Sequence, residues 1–151
     1  MGDCGSEDGY TRIQLVDGWL RYHERQGSRP PEHEWALFAM QDLVLDDDPA
    51  EGLAVIVDLV HASWKPWQRT MIGADPLESL VNSDREHALD AIDQAVGTDT
   101  SFVPVLEAVW PGTKATTERI DIMLARLRRA QRHEPIQRER KRGPGRYKDA
   151  P

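Results

Sequence analysis

The chain has 151 residues, 30% of them charged, with a mean hydropathy of −0.61 and a net charge of −7. That length suits one domain burying about two-thirds of its unfolded surface, and no apolar run approaches the ~20 residues that cross a bilayer. The charge is divided: up to Glu118 there are 8 Lys/Arg against 22 Asp/Glu, a net of −14, whereas Arg119–Pro151 has 11 against 4, a net of +7.

Residues 1–9 are expected to form a flexible leader. It holds the single cysteine, Cys4, which can close no intramolecular disulfide. Met1–Ser6 lacks the basic and apolar regions of a secretory signal, so the cytoplasm is the expected compartment. The first helix is predicted from about Tyr10 to Glu24, with Ile13, Val16, Trp19, Leu20 and Tyr22 on one stripe, and Gly27 and Pro30 close it. A second begins near Pro31 and carries Trp35, Phe38, Leu43 and Val44 inward.

Asp46, Asp47 and Asp48 sit badly at a helix C-terminus. They fit the start of a third helix, where Asp48-Pro49-Ala50-Glu51 places an N-cap carboxylate, a first-turn proline and an acid at the positive end of the helix dipole. This helix runs to about Ala62. Its Val55-Ile56-Val57 favours strand, but the cap and the Ala and Leu neighbours decide for helix. Ser63–Met71, with Trp64, Pro66 and Trp67, reads as a linker.

Three start signals follow. Asp75-Pro76-Leu77-Glu78 repeats the cap, proline and acid pattern for a short helix to Val81, with Glu78 reaching back to cap. Ser83-Asp84-Arg85-Glu86 is a capping box for a helix from Asp84 to Val96, and Gly97 stops it. A further helix from about Asp99 to Trp110 has Pro104 in its first turn and ends at Pro111-Gly112. Leu77, Leu80, Leu89, Ile92, Phe102, Leu106 and Trp110 are expected in one core. The last helix, about Thr117 to Arg132, spaces Ile120, Met123, Leu124 and Leu127 by threes and fours among many arginines. The expected architecture is all-α: an irregular helical bundle or short stack of helix pairs with about seven helical segments, over residues 10–132. Residues 133–151 form a basic tail without apolar periodicity, expected to be disordered because nothing offsets the ~1–2 kcal/mol per residue of backbone ordering.

The runs I-G-A-D-P-L-E-S-L-V, A-L-D-A-I-D-Q-A-V and T-D-T-S-F-V-P-V-L-E-A-V-W resemble a family of small, mostly bacterial domains of unknown function. That family has a G-P-L-E-D-L-L-like element, an I-E-x-x-A helix and a closing F-x-x-x-L-x-x-V-W. Pro76, Leu77, Glu78, Leu80, Ile92, Phe102, Leu106, Val109 and Trp110 carry the resemblance. Trp19 and Tyr22 are set against its leading W-x-x-Y, so the resemblance spans Ile13–Trp110. Asp75 stands where the family has glycine, and Ser83-Asp84 stands near a second one. The resemblance implies a fold class and no activity.

The residues offer little chemistry. His23, His33, His61, His87 and His133 lie in different segments and form no zinc-spaced pair, so no metal is expected. Asp84, His87 and Asp90 share a helix face, and His33-Glu34 adjoins Trp35, but a solvated surface explains both better than a metal or an acid/base pair. There is no G-x-S-x-G, P-loop or G-x-G-x-x-G, so neither catalytic residues nor a cofactor are assigned, and an enzyme is the less favoured class.

Two binding classes remain. The first is a non-enzymatic acidic module, inhibitor- or immunity-like, that docks a basic protein surface through Asp46, Asp47 and Asp48 and through the Trp64-Lys65-Pro66-Trp67 corner. The second binds nucleic acid through the Arg-rich last helix and the tail, with Arg138, Arg140, Lys141, Arg142 and Arg146 as phosphate contacts. No membrane partner is expected, and the protein should be a monomer or weak dimer.

Overall fold

A computed structural model describes residues 9–46, 48–83 and 87–146, with side chains as far as His133. Every regular element among these residues is helical and none is a strand, so the all-α class is observed. Helix α1 (Arg12–Tyr22) opens on a capping box: the Thr11 hydroxyl accepts from the Gln14 N–H at 3.1 Å, and the Gln14 side chain accepts from the Thr11 N–H at 2.8 Å. Its buried stripe is Leu15, Val16, Trp19, Leu20 and Tyr22. Ile13, expected inside, is 82% exposed, because the stripe runs through Leu15 one turn before Trp19.

Helix α2 (Glu34–Leu45) departs further from expectation. Its buried residues are Ala36, Ala39, Met40 and Val44, while Trp35 is 39% and Phe38 is 55% exposed. The reason lies in the α1/α2 contact. A Cβ on Gly18 would stand 3.1 Å from the Ala36 Cβ and 3.0 Å from the Trp35 ring, so small residues bring the two helices together and leave the large aromatics at the rim.

Helix α3 (Pro49–Ala62) starts as predicted, with an Asp48 carboxylate oxygen accepting from the Ala50 N–H at 3.0 Å. It buries Leu53, Val55, Ile56, Leu59 and Val60, so its β-favouring run is a core helix. Its cap and its burial override local propensity.

The segment read as a linker is helical. Helix α4 (Pro66–Ile72), a π turn (Gly73–Leu77) and α5 (Glu78–Val81) follow one another without a break. Gln68 explains the start: its side-chain oxygen accepts from the Trp64 and Lys65 N–H groups at 2.8 and 3.0 Å, and its amide donates to the Leu20 carbonyl at 2.8 Å. Fully buried, it caps α4 and ties it to α1. The π turn corrects a second reading, since Asp75 does not cap a new helix and Pro76 lies inside a continuing one. Pro76 has no N–H and its ring crowds the carbonyl four residues back, and the wider π turn makes room for it.

Helix α6 (Ala88–Val96) begins after His87, whose φ of 73° is left-handed; Asp84–Glu86, the rest of the expected capping box, lie outside the described residues. A 3-10 turn (Thr100–Phe102) leads into α7 (Val103–Glu107), with Pro104 in the first turn as expected. Helix α8 (Lys114–Arg146) starts three residues early because the Thr113 hydroxyl accepts from the Thr116 N–H at 3.1 Å. It sends Ile120, Met123, Leu124 and Leu127 into the same core as α1–α7. Its backbone continues past Arg132, where apolar periodicity ends.

Of the expected core set, Leu77, Leu80, Ile92, Phe102 and Leu106 are buried and Leu89 is half-buried. Trp110 is the exception at 76% exposed. Its backbone is what the fold holds: the Trp110 N–H donates to a Glu78 carboxylate oxygen at 2.6 Å, the Asn82 amide donates to the Trp110 carbonyl at 2.9 Å, and the Gly112 N–H donates to the Asn82 side-chain oxygen at 2.9 Å. Glu78 therefore acts structurally, but by clamping the α7–α8 connection rather than by capping its own helix.

Candidate functional site

The rim left by the α1/α2 packing forms an open groove of about 810 Å³. Tyr10, Gln14, Asp17 and Gly18 line one side, with Glu32, His33, Trp35, Phe38 and Asp42 on the other. The Tyr10 and Trp35 rings lie 5.2 Å apart, tilted at 42°. Each α2 aromatic has a carboxylate about one turn away, Glu32 for Trp35 and Asp42 for Phe38. Asp17 is paired with Arg21 at 2.9 Å. The groove thus combines partly exposed aromatic rings with negative charge, the combination that attracts organic cations.

A smaller cavity of about 180 Å³ lies between α2 and the π turn, walled by Trp19, Met40, Val44, Asp75, Pro76 and Ser79. Burial, with the Glu78 charge added, pushes the Asp75 carboxyl above the usual carboxylate range. Next to Trp19, the His23 ring lies 4.2 Å away, tilted at 49°; burial, with Arg29 nearby, lowers its pKa to about 4, so it is neutral at physiological pH.

The residues singled out by sequence are scattered over this framework. Asp48 is occupied as the α3 cap, Asp46 follows the end of α2, and Asp47 lies outside the described residues. Trp64 is 46% exposed and, with Ile13, Asp58 and His61, lines a separate shallow pocket, while Trp67 is half-buried on α4. Among the described residues, Asp46, Asp48 and the Trp corner do not share one of the pockets above. His33 borders the groove, whereas Glu34 does not line it.

The side chains of Arg138, Arg140, Lys141, Arg142 and Arg146 lie outside the described residues. Arg119 and Arg126, earlier on α8, are engaged within the fold. Arg119 pairs with Asp90 at 2.7 Å, and Arg126 pairs with Asp93 at 2.6 Å and donates to the Gly97 carbonyl at 2.7 Å. The Arg119 hydrogen bond holds the Asp90 carboxyl below its ordinary range. Burial works against the Asp99 charge, but hydrogen bonds from His61 and Ser101 overcome it and keep this carboxyl low as well. These pairs tie α6 to α8 and α3 to the 3-10 turn.

Among the described residues there is no group of three or more His, Cys, Asp or Glu placed to hold a metal, and no helix long and apolar enough to cross a membrane. Sequence reasoning missed the groove because it assigned Trp35 and Phe38 to the core. The available signal was the spacing of Glu32 to Trp35 and of Phe38 to Asp42, beside alanines at 36 and 39.

Fold and groove together define a class, an all-α helical protein with an acid-rimmed aromatic groove. Residues 23–134 match DUF6869, a family of unknown function, and the chain belongs to that family. The match starts after Trp19 and Tyr22, later than the resemblance led us to expect, and continues beyond Trp110 into the part of α8 that packs on the core. No curated protein and no solved structure matches the chain.

Proposed function

We propose that this protein is a non-enzymatic acidic module that docks a basic protein segment, with residues 10–132 as the binding body. The observation that carries the reading is the α1/α2 groove, where exposed Trp35 and Phe38 stand among Asp17, Glu32 and Asp42. Aromatic side chains supply rigid contact area, and the surrounding carboxylates steer and select a cationic partner. The bacterial setting implied by the resemblance suits an inhibitor- or immunity-like role in the cytoplasm. The nucleic-acid alternative loses Arg119 and Arg126 to the α6/α8 contact, leaving the exposed Arg128, Arg129 and Arg132 of α8 together with the tail as its phosphate-binding surface.

The test uses the full chain and a form lacking residues 135–151. Both are used for nuclease-treated affinity capture and for duplex-DNA anisotropy at two salt concentrations. Nuclease-resistant capture of a basic protein by both forms is the expected result. Submicromolar, tail-dependent DNA binding near physiological salt, falling with a log–log slope of about −0.9 per phosphate neutralised, would overturn the proposal.

A further inference from the structure

Resting on that reading, we infer that the groove recognises two arginines placed one residue apart in an extended segment of the partner. Three features support this choice. The first is the repeated pairing of an aromatic ring with a carboxylate along α2 and the 3-10 turn (Pro31–His33) that leads into it. Trp35 has Glu32, and Phe38 has Asp42, and neither acid has an ion pair among the described residues. A guanidinium meets both halves of such a pair, stacking its plane on the ring while its N–H groups face the carboxylate. An ammonium is more strongly hydrated and has no plane to stack.

The second feature is length. From Trp35 to Asp42 the helix rises about 10 Å at ~1.5 Å per residue. Arginines one residue apart in an extended chain stand ~7 Å from each other at ~3.3–3.6 Å per residue, so both fit within that span. Side chains one residue apart in such a chain point to the same side, so both arginines would face the groove. The third is room: about 810 Å³ exceeds the volume of a single side chain and matches a short segment.

The experiment is calorimetric titration of the full chain with a synthetic peptide carrying two arginines one residue apart, and with its two-lysine counterpart. Phe38→Leu and Trp35→Leu keep an apolar surface but remove the π face. Each is expected to weaken the arginine peptide by about 2- to 5-fold, in line with an exposed cation–π contact. Glu32→Gln and Asp42→Asn should each weaken it too, whereas Asp121→Asn, which removes equal charge from the exposed surface of α8, should leave it near wild type. Circular dichroism melts confirm that each variant is folded, and the Trp35 indole N–H resonance should shift on titration.

Equal loss from Asp121→Asn and from the groove variants would overturn the inference while leaving a generally acidic module standing. Equal or tighter binding of the lysine peptide would also overturn it. Absence of binding to wild type and to the form lacking residues 135–151 would overturn the inference, while the capture experiment still decides the proposal beneath it. Binding only after removal of residues 135–151 would assign the groove to this chain's own arginines, and so overturn the assignment to a partner.

Discussion

Gly73→Ala sets two well-known effects against each other. In a helix interior alanine is favoured over glycine by ~1 kcal/mol, so on propensity alone the change should stabilise. Gly73, however, begins the π turn where it passes α7. An added Cβ would sit 2.0 Å from the Val105 carbonyl oxygen, 3.0 Å from its carbonyl carbon and 2.9 Å from the Ala108 Cβ. Ordinary carbon contacts lie near 3.5–4.0 Å, so the backbone of α7 must retreat by on the order of 1 Å. Val105 and Leu106, which α7 carries into the core, would have to move with it. Overpacking of this kind costs ~1–3 kcal/mol and exceeds the propensity gain. At about 2–4 °C per kcal/mol for a chain of this size, a net loss of up to ~2 kcal/mol should lower the melting temperature by up to roughly 8 °C. Gly52→Ala is the control: its Cβ would meet the Leu43 carbonyl oxygen at 3.1 Å, a clash relieved by a few tenths of an ångström. Thermal and urea unfolding of both variants decide the matter, and a melting temperature for Gly73→Ala at or above wild type would refute the close α4/α7 packing.

Leu106→Ala should cost ~2–5 kcal/mol in urea unfolding because the side chain is fully buried; a loss under ~0.5 kcal/mol would mean that α7 faces elsewhere. Glu78→Ala removes a charged acceptor from the Trp110 N–H at an exposed site and should destabilise by about 0.5–1.5 kcal/mol, with Glu78→Gln recovering much of the loss. Equal melting of both variants with wild type would dismiss the clamp. His23 takes up a proton near pH 4 when folded, against 6.5 as its ordinary value. The unfolded state is therefore protonated first, and the stability contribution, full above 6.5, is lost as pH falls toward 4. His23→Phe should show a flatter melting profile than wild type across that window, and parallel profiles would count against a neutral buried ring. The Asp75 carboxyl is shifted upward, so its ionised form is disfavoured in the folded state above the ordinary carboxylate pKa. Asp75→Asn should then melt at or above wild type at neutral pH, and clear destabilisation would contradict that sign.

Helical periodicity and start signals were enough to read the class of this protein and several of its helices. Asp48-Pro49 opens α3, Pro104 lies in the first turn of α7, and Ile120, Met123, Leu124 and Leu127 form the inner face of α8. These features are local: a cap and a stripe are decided by residues within one or two turns. The candidate site was not legible in the same way. Trp35 and Phe38 look like core residues because of their size, but the close approach of Gly18 to Ala36, distant in sequence, leaves them at the rim. Pro76 resembles a helix start because Asp-Pro usually is one, whereas packing of Gly73 against α7 carries the helix through it as a π turn. Glu78 carries an acceptor and Gln68 a donor that many partners could use, and tertiary structure alone brings the Trp110 N–H to Glu78 and the Leu20 carbonyl to Gln68. Sequence determined which segments could be helices, because propensity and amphipathicity act along the chain. Tertiary structure decided which large apolar side chains remained outside, because burial depends on how closely two helices can approach.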